Sequence, residues 1–164
     1  MSIQTTEYID VKERALELGS VVPIGLAFLP INFDTANSKD ELVYEDSVLT
    51  IRKLWRKAGI EETRTEKKGE KIQYEQRKSL ELALPTVFVS FSLLSQNPNL
   101  VSAALNILST YATDFFKGIA GEKKVKFDLV LEQNKKKKSK RIHYEGDIDG
   151  LNKLSQIIKE LKDL

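Results

Sequence analysis

Residues 124–161, KVKFDLVLEQNKKKKSKRIHYEGDIDGLNKLSQIIKEL, decide the fold class. Val125, Phe127, Leu129 and Leu131 recur every second residue, the alternation of a strand with one buried face, and Ile142 and Tyr144 repeat it after the turn formers around NKKKKS. The spacing predicts a β-hairpin. Asp147 is placed to cap a following helix, in which Leu151, Leu154, Ile157, Ile158 and Leu161 form an apolar stripe that covers one face of the hairpin. A lone hairpin is marginal in water, so hairpin and helix belong together.

Upstream the period changes to that of helices. Pro85 fits the first turn of a helix over about 85–95, and Asn97 with Pro98 opens a second, with Val101, Leu105, Leu108, Ala112 and Phe115 along one side until Gly118. Leu100, Ala104, Ile107 and Tyr111 line a neighbouring face, so this apolar helical pair reads as the centre of the fold or as a surface for a partner. Near the N-terminus, Asp10 and Glu13 have capping-box spacing and Gly19 suits a left-handed stop, which predicts a helix over 11–18. Val48, Ile51, Leu54, Trp55 and Ala58 predict another between Ser47 and Gly59. The segment between them, VVPIGLAFLPINF, reads as a buried irregular connection with a short strand or helical turn, because its prolines interrupt regular pairing. The hydrophilic passage 61–71 reads as a mobile loop. The expectation is therefore an α+β fold of several short helices, the helical pair and the C-terminal hairpin under an amphipathic helix. The chain reads as a single domain, 1–164, with an N-terminal helical part (1–60) and a C-terminal helix–hairpin–helix part (80–164).

Composition narrows the function. At 164 residues and 41% hydrophobic content, the chain is long enough for one core that buries about 70% of the unfolded surface. A net charge of +2 gives the whole molecule no long-range field for nucleic acid or acidic membrane, so any electrostatic role is local. The absence of cysteine removes disulfides, thiolate metal sites and cysteine nucleophiles, and fits a reducing compartment, with the cytoplasm expected. No secretory signal is read at the N-terminus. The apolar tracts 21–31 and 82–94 are shorter than a bilayer-spanning helix, which leaves at most peripheral membrane attachment.

Two sets of residues stand out as candidate sites. Lys135, Lys136, Lys137 and Lys138, with Lys140 and Arg141 close behind, could neutralise phosphates of nucleic acid or another polyanion. The run reads more readily as a solvated hairpin turn whose charges oppose aggregation, since no aromatic ring is interleaved for base stacking. The second set is a partner surface on the helical pair: Phe88, Phe91, Leu94, Leu100, Ala104, Ile107, Tyr111 and Phe115. His143 is the only histidine and shares a strand face with Arg141 and Glu145, which reads as an exposed or hydrogen-bonded residue rather than a general base. One histidine without cysteine does not make a zinc site, and Glu145, Asp147 and Asp149 lack the spacing of a calcium loop. No phosphate loop or serine elbow is present, so neither metal nor cofactor is expected.

In its order of apolar helix, DFFKG, charged hairpin, RIHYEGD and GLNKLSQIIKEL, the segment 100–164 resembles small effector-associated accessory modules of bacterial conflict and immunity systems. The resemblance implies an adaptor or assembly subunit, without enzymatic activity, that recruits or regulates an effector through protein partners or self-association. A nucleic-acid-binding accessory protein using the lysine turn is the alternative.

Overall fold

The computed structural model describes residues 2–75, 81–121, 123–154, 156 and 158. The fold is α+β, built on a six-stranded mixed sheet. Its strands are β1 (Ser2–Tyr8), β2 (Leu26–Leu29), β5 (Leu82–Ala83), β6 (Thr86–Val89), β7 (Val125–Leu131) and β8 (Ser139–Gly146). They run in the order β1-β8-β7-β6-β2, with β5 beside β7 in line with β6. β7 and β8 are antiparallel, with Phe127 opposite Tyr144 and Leu129 opposite Ile142, while β6 lies parallel to β7. Two further strands, β3 (Val43–Glu45) and β4 (Gln73–Glu75), form a separate parallel pair.

The helices are α1 (Val11–Leu18), α2 (Val48–Lys57), α3 (Phe91–Gln96), α4 (Pro98–Phe115) and α5 (Ile148–Leu151). Local chemistry sets their ends. Asp10 accepts from the Glu13 amide and Gly19 takes the left-handed conformation at φ 71°, closing α1 at both termini. Asn97 caps α4 through the Leu100 amide with Pro98 in the first turn, and Asp147 caps α5 through the Gly150 amide. Ser47 precedes α2, but its hydroxyl donates to the Ala83 carbonyl instead of capping.

Alternation along the strands divides the core. Phe28, Val87, Val89, Phe127, Leu129, Ile142 and Tyr144 face a large cluster with Trp55, Leu105, Leu108 and Leu154. Ala27, Leu29, Phe88 and Val130 point the other way, under Val11, Ala15 and Leu18 of α1 and under Phe33. Leu151, Leu154 and Ile158 are buried, whereas Ile157 and Leu161 of the expected stripe lie outside the described residues. Among the described residues no helix is long and apolar enough to cross a membrane.

Three expectations are corrected. The stretch 85–95 is not one helix: Thr86–Val89 is strand β6, and α3 starts at Phe91 behind Ser90, whose hydroxyl accepts from the Leu93 amide. A short strand buried on both faces is apolar at every position, and its pattern cannot be told from that of a buried helix. The first 60 residues, read as helical, also supply β1, β2 and β3, and β1 pairs with β8 from the opposite end of the chain. Phe116, at 1% exposure, takes the core position expected of Phe115, which is 40% exposed.

Candidate functional site

Helix α1 covers only the side of its sheet face nearest β2. Beside it, on β7, β8 and β1, the same face carries Lys126, Asp128, Arg141, His143, Glu145 and Gln4, all placed by the ladder: Asp128 opposite His143 opposite Gln4, and Lys126 opposite Glu145. An antiparallel sheet with one solvated face puts polar side chains there by parity alone. Here they form a charged chain. His143 Nδ1 is 2.7 Å from Asp128 Oδ1 and its Nε2 is 3.0 Å from Glu145 Oε1, while Arg141 Nε donates to Asp128 Oδ1 at 3.0 Å. Lys126 Nζ lies 3.3 Å from Glu81 and 3.9 Å from Glu145, and Lys124 Nζ lies 3.6 Å from Glu145.

Burial favours neutral His143, but the hydrogen bonds to Glu145 and Asp128 outweigh it and hold the imidazole above its ordinary range. Glu145 is held below the usual carboxylate range, first by its hydrogen bond with His143. With both ring nitrogens bonded to carboxylates, the ring is a clamped imidazolium and offers no free base in this arrangement. A raised histidine pKa contributes stability that is full below the unfolded value of about 6.5 and is lost as pH rises through the folded value. The depressed Glu145 contributes above its unfolded value and loses this contribution as pH falls through the folded one. We therefore expect His143→Gln to cost about 1 kcal/mol at pH 6 and markedly less at pH 9. Urea titrations at the two pH values check this, and an equal cost at both would contradict the imidazolium assignment.

The lysine run forms an exposed turn, with Lys135 in the left-handed region at φ 59°. Lys135, Lys136 and Lys137 line a crevice with Asp10, Lys12 and Glu132, at the carboxyl ends of the parallel strands β6 and β7 and the start of α1. Lys12 Nζ is 2.9 Å from Glu132, which also accepts from the Phe91 amide at 3.0 Å and so ties the end of β7 to the start of α3. Lys138 instead pairs with Glu7 of β1 at 3.6 Å, Lys140 sits opposite Leu131 and Glu7 in the ladder, and Arg141 is engaged with Asp128. The structure thus keeps three of the six expected cations together and adds Lys12, whose place beside the turn follows from packing that no local motif announces.

The expected partner residues also divide. Phe88, Leu94 and Ala104 are buried in the chain's own core, Phe88 on strand β6 rather than on a helix. Phe91, Leu100, Ile107 and Tyr111 are half-buried and Phe115 is exposed. Tyr111 and Phe115 have ring centroids 6.5 Å apart, and Phe115 packs edge-on against Phe116 at 5.0 Å.

A further group was invisible in the hydrophilic passage 61–71. Arg52 of α2, 7% exposed, contacts Glu62 through Nε and lies 3.5 Å from Glu66 through Nη1, while Arg64 bridges the same carboxylates at 3.8 and 3.6 Å. Burial pushes Glu62 up, against the opposing pull of Arg52 and Arg64. Thr65 is buried in the same passage, and its hydroxyl is hydrogen-bonded to Tyr44. Among the described residues no group of three or more histidine, aspartate or glutamate side chains is arranged to hold a metal ion. Compared with known proteins, the chain matches no family model, no curated protein and no solved structure.

Proposed function

We propose that the protein works by binding rather than catalysis, as an adaptor or assembly subunit of a bacterial multiprotein system, with α4 as its contact element. The observation that supports this reading is the partly exposed row Leu100, Ile107, Tyr111 and Phe115 at the border of the core. These side chains follow one another at spacings of seven, four and four residues along a helix of 18 residues and end on an exposed phenylalanine. Aromatic and aliphatic side chains that are partly supported by a core, yet still accessible, are the anchors that interfaces use. Phe115→Lys tests the role without opening the core, because Phe116 holds the buried position. Affinity purification of the wild-type chain from its source cell should recover a stoichiometric protein that the variant loses by tenfold or more. Equal recovery, or none from the wild type, would remove the proposal.

The crevice favours a second reading, that of an accessory protein for nucleic acid or another polyanion. Four lysines, Lys12 and Lys135 to Lys137, converge there against two carboxylates. Changing Lys135–Lys138 to serine should move stability by less than about 0.5 kcal/mol, since these side chains are solvated. Under this reading the same change weakens duplex binding across all sequences and flattens the slope of log affinity against log salt by roughly 3. Gel-shift titrations at two salt concentrations decide it, and equal binding, or none by either protein, returns the turn to a solvent-facing role.

A further inference from the structure

The two borders of the sheet are treated differently. At β2 all four residues are buried, and coil closes the edge: the Thr63 amide donates to the Leu26 carbonyl at 2.7 Å, and the Thr63 hydroxyl donates to the Ile24 carbonyl at 2.6 Å. At the other border, among the described residues, the strand order ends on β1, where Ser2, Gln4, Thr5, Thr6 and Glu7 are exposed. An edge strand presents a row of backbone donors and acceptors to any strand of matching shape, and proteins blunt it with lysine, proline, a bulge or a very short strand. The SIQTTEY sequence of β1 has neither lysine nor proline, and its seven residues pair with β8 in unbroken register from Ser2 opposite Glu145 to Tyr8 opposite Ser139.

We propose that β1 is a self-association site, pairing antiparallel with β1 of a second copy about a two-fold axis at Thr5 and joining the two six-stranded sheets edge to edge. This inference does not rest on the α4 reading, which concerns another element.

The sequence of β1 is compatible with itself in that register. Thr5 meets Thr5 of the second copy, Gln4 meets Thr6, Ile3 meets Glu7 and Ser2 meets Tyr8, so no like charges face each other. The Thr5–Thr5 pair is a favourable cross-strand neighbour. Charge selects the direction. Glu7 is the one carboxylate on β1, and antiparallel pairing about Thr5 holds the two copies four residue positions apart, about 14 Å, beyond the screening length of about 8 Å at physiological salt. Parallel pairing would set them side by side at about 5 Å. Lys138, 3.6 Å from Glu7, lowers the remaining repulsion. On the open face, the pairing carries the Asp128–His143–Gln4 row onward into Thr6 of the second copy. Contact along one edge involves less area than a standard interface of about 1,600 Å², which places the dimer among weak, concentration-dependent associations.

The chain contains no cysteine, so single introduced cysteines report the geometry directly. Under mild oxidation T5C should give a covalent dimer, because directly opposed residues of an antiparallel pair bring their Cβ atoms within disulfide reach. E7C, facing Ile3 of the second copy, should cross-link at least tenfold more slowly. In light scattering the wild type should shift from monomer to dimer with rising concentration. Thr5→Lys should weaken the dimer tenfold or more, and mixing it with Thr5→Glu should restore association. A wild type that stays monomeric at high concentration, a T5C that does not cross-link, or equal cross-linking of T5C and E7C would each overturn the proposal.

Discussion

Replacing Arg52 with alanine should destabilise the protein by about 3–5 kcal/mol, because it strips the cation from a buried site and leaves two carboxylates behind. Glu62 and Glu66 expose only about a tenth of their side-chain area, and Arg64, half exposed, contacts both from the solvent side at 3.6–3.8 Å. The guanidinium also lies 5.7 Å over the Phe28 ring, so its stem and its charge are both lost. The pH dependence identifies the cause. Burial already raises Glu62, and without the opposing pull of Arg52 it rises further in the folded state. An acid whose folded pKa is raised favours folding while protonated, and that contribution disappears as pH rises through the folded value. The deficit of Arg52→Ala should therefore be clearly smaller at pH 5 than at pH 8. Adding Glu62→Gln and Glu66→Gln should recover part of the pH 8 loss. Chemical denaturation of the three proteins at both pH values checks this, and a deficit unchanged by pH and unaffected by the glutamines would show that lost packing, not unpaired charge, is responsible.

That cluster also marks where sequence reading stops. Residues 61–71 contain no large apolar side chain, so any reading based on hydrophobic period assigns them to solvent. The burial of Glu62, Thr65 and Glu66 among them comes from partners on α2 and β3, which no local pattern announces. Where structure is local, the sequence was readable: Asp10 and Gly19 bound α1, Asn97 and Pro98 open α4, and the alternation of 125–131 against 142–144 describes a pair of strands. Strand β6 failed for the opposite reason, because the consecutive apolar residues Val87, Phe88 and Val89 have no period, and β1 failed because polar SIQTTEY is made a strand by β8 alone. The sites follow the same division. Parity placed His143 with Arg141 and Glu145, and extending the hairpin register across the turn would have added Asp128, the one acid inside β7. Parity says nothing about Lys12 or about which lysines share a crevice, since those depend on how α1 lies over the sheet.

The second large effect is expected at the single tryptophan. Trp55 is 1% exposed, its ring stacks on Phe28 at 4.3 Å with 23° between the planes, and its Nε1 donates to the Ala104 carbonyl at 3.1 Å. One side chain thus joins α2, β2 and α4, and Trp55→Ala should cost about 3–5 kcal/mol through lost burial and the cavity left behind. Trp55→Phe separates the contributions. It keeps an aromatic face on Phe28 and removes the indole donor, while the Ala104 carbonyl keeps its place in the helical ladder, so a loss of about 1–2 kcal/mol is expected. Circular dichroism must follow the unfolding, because the substitution removes the fluorescent reporter. Arg52 lies over the same Phe28 ring that Trp55 stacks against, so the two sites share a partner and should not be independent. A double-mutant cycle of Arg52→Ala with Trp55→Ala should show a coupling of about 0.5–1.5 kcal/mol, the double variant being less destabilised than the two losses added. Strict additivity would mean that the Arg52–Phe28–Trp55 stack does not act as a unit, and that the ion cluster holds the 61–71 passage without help from the core beneath it.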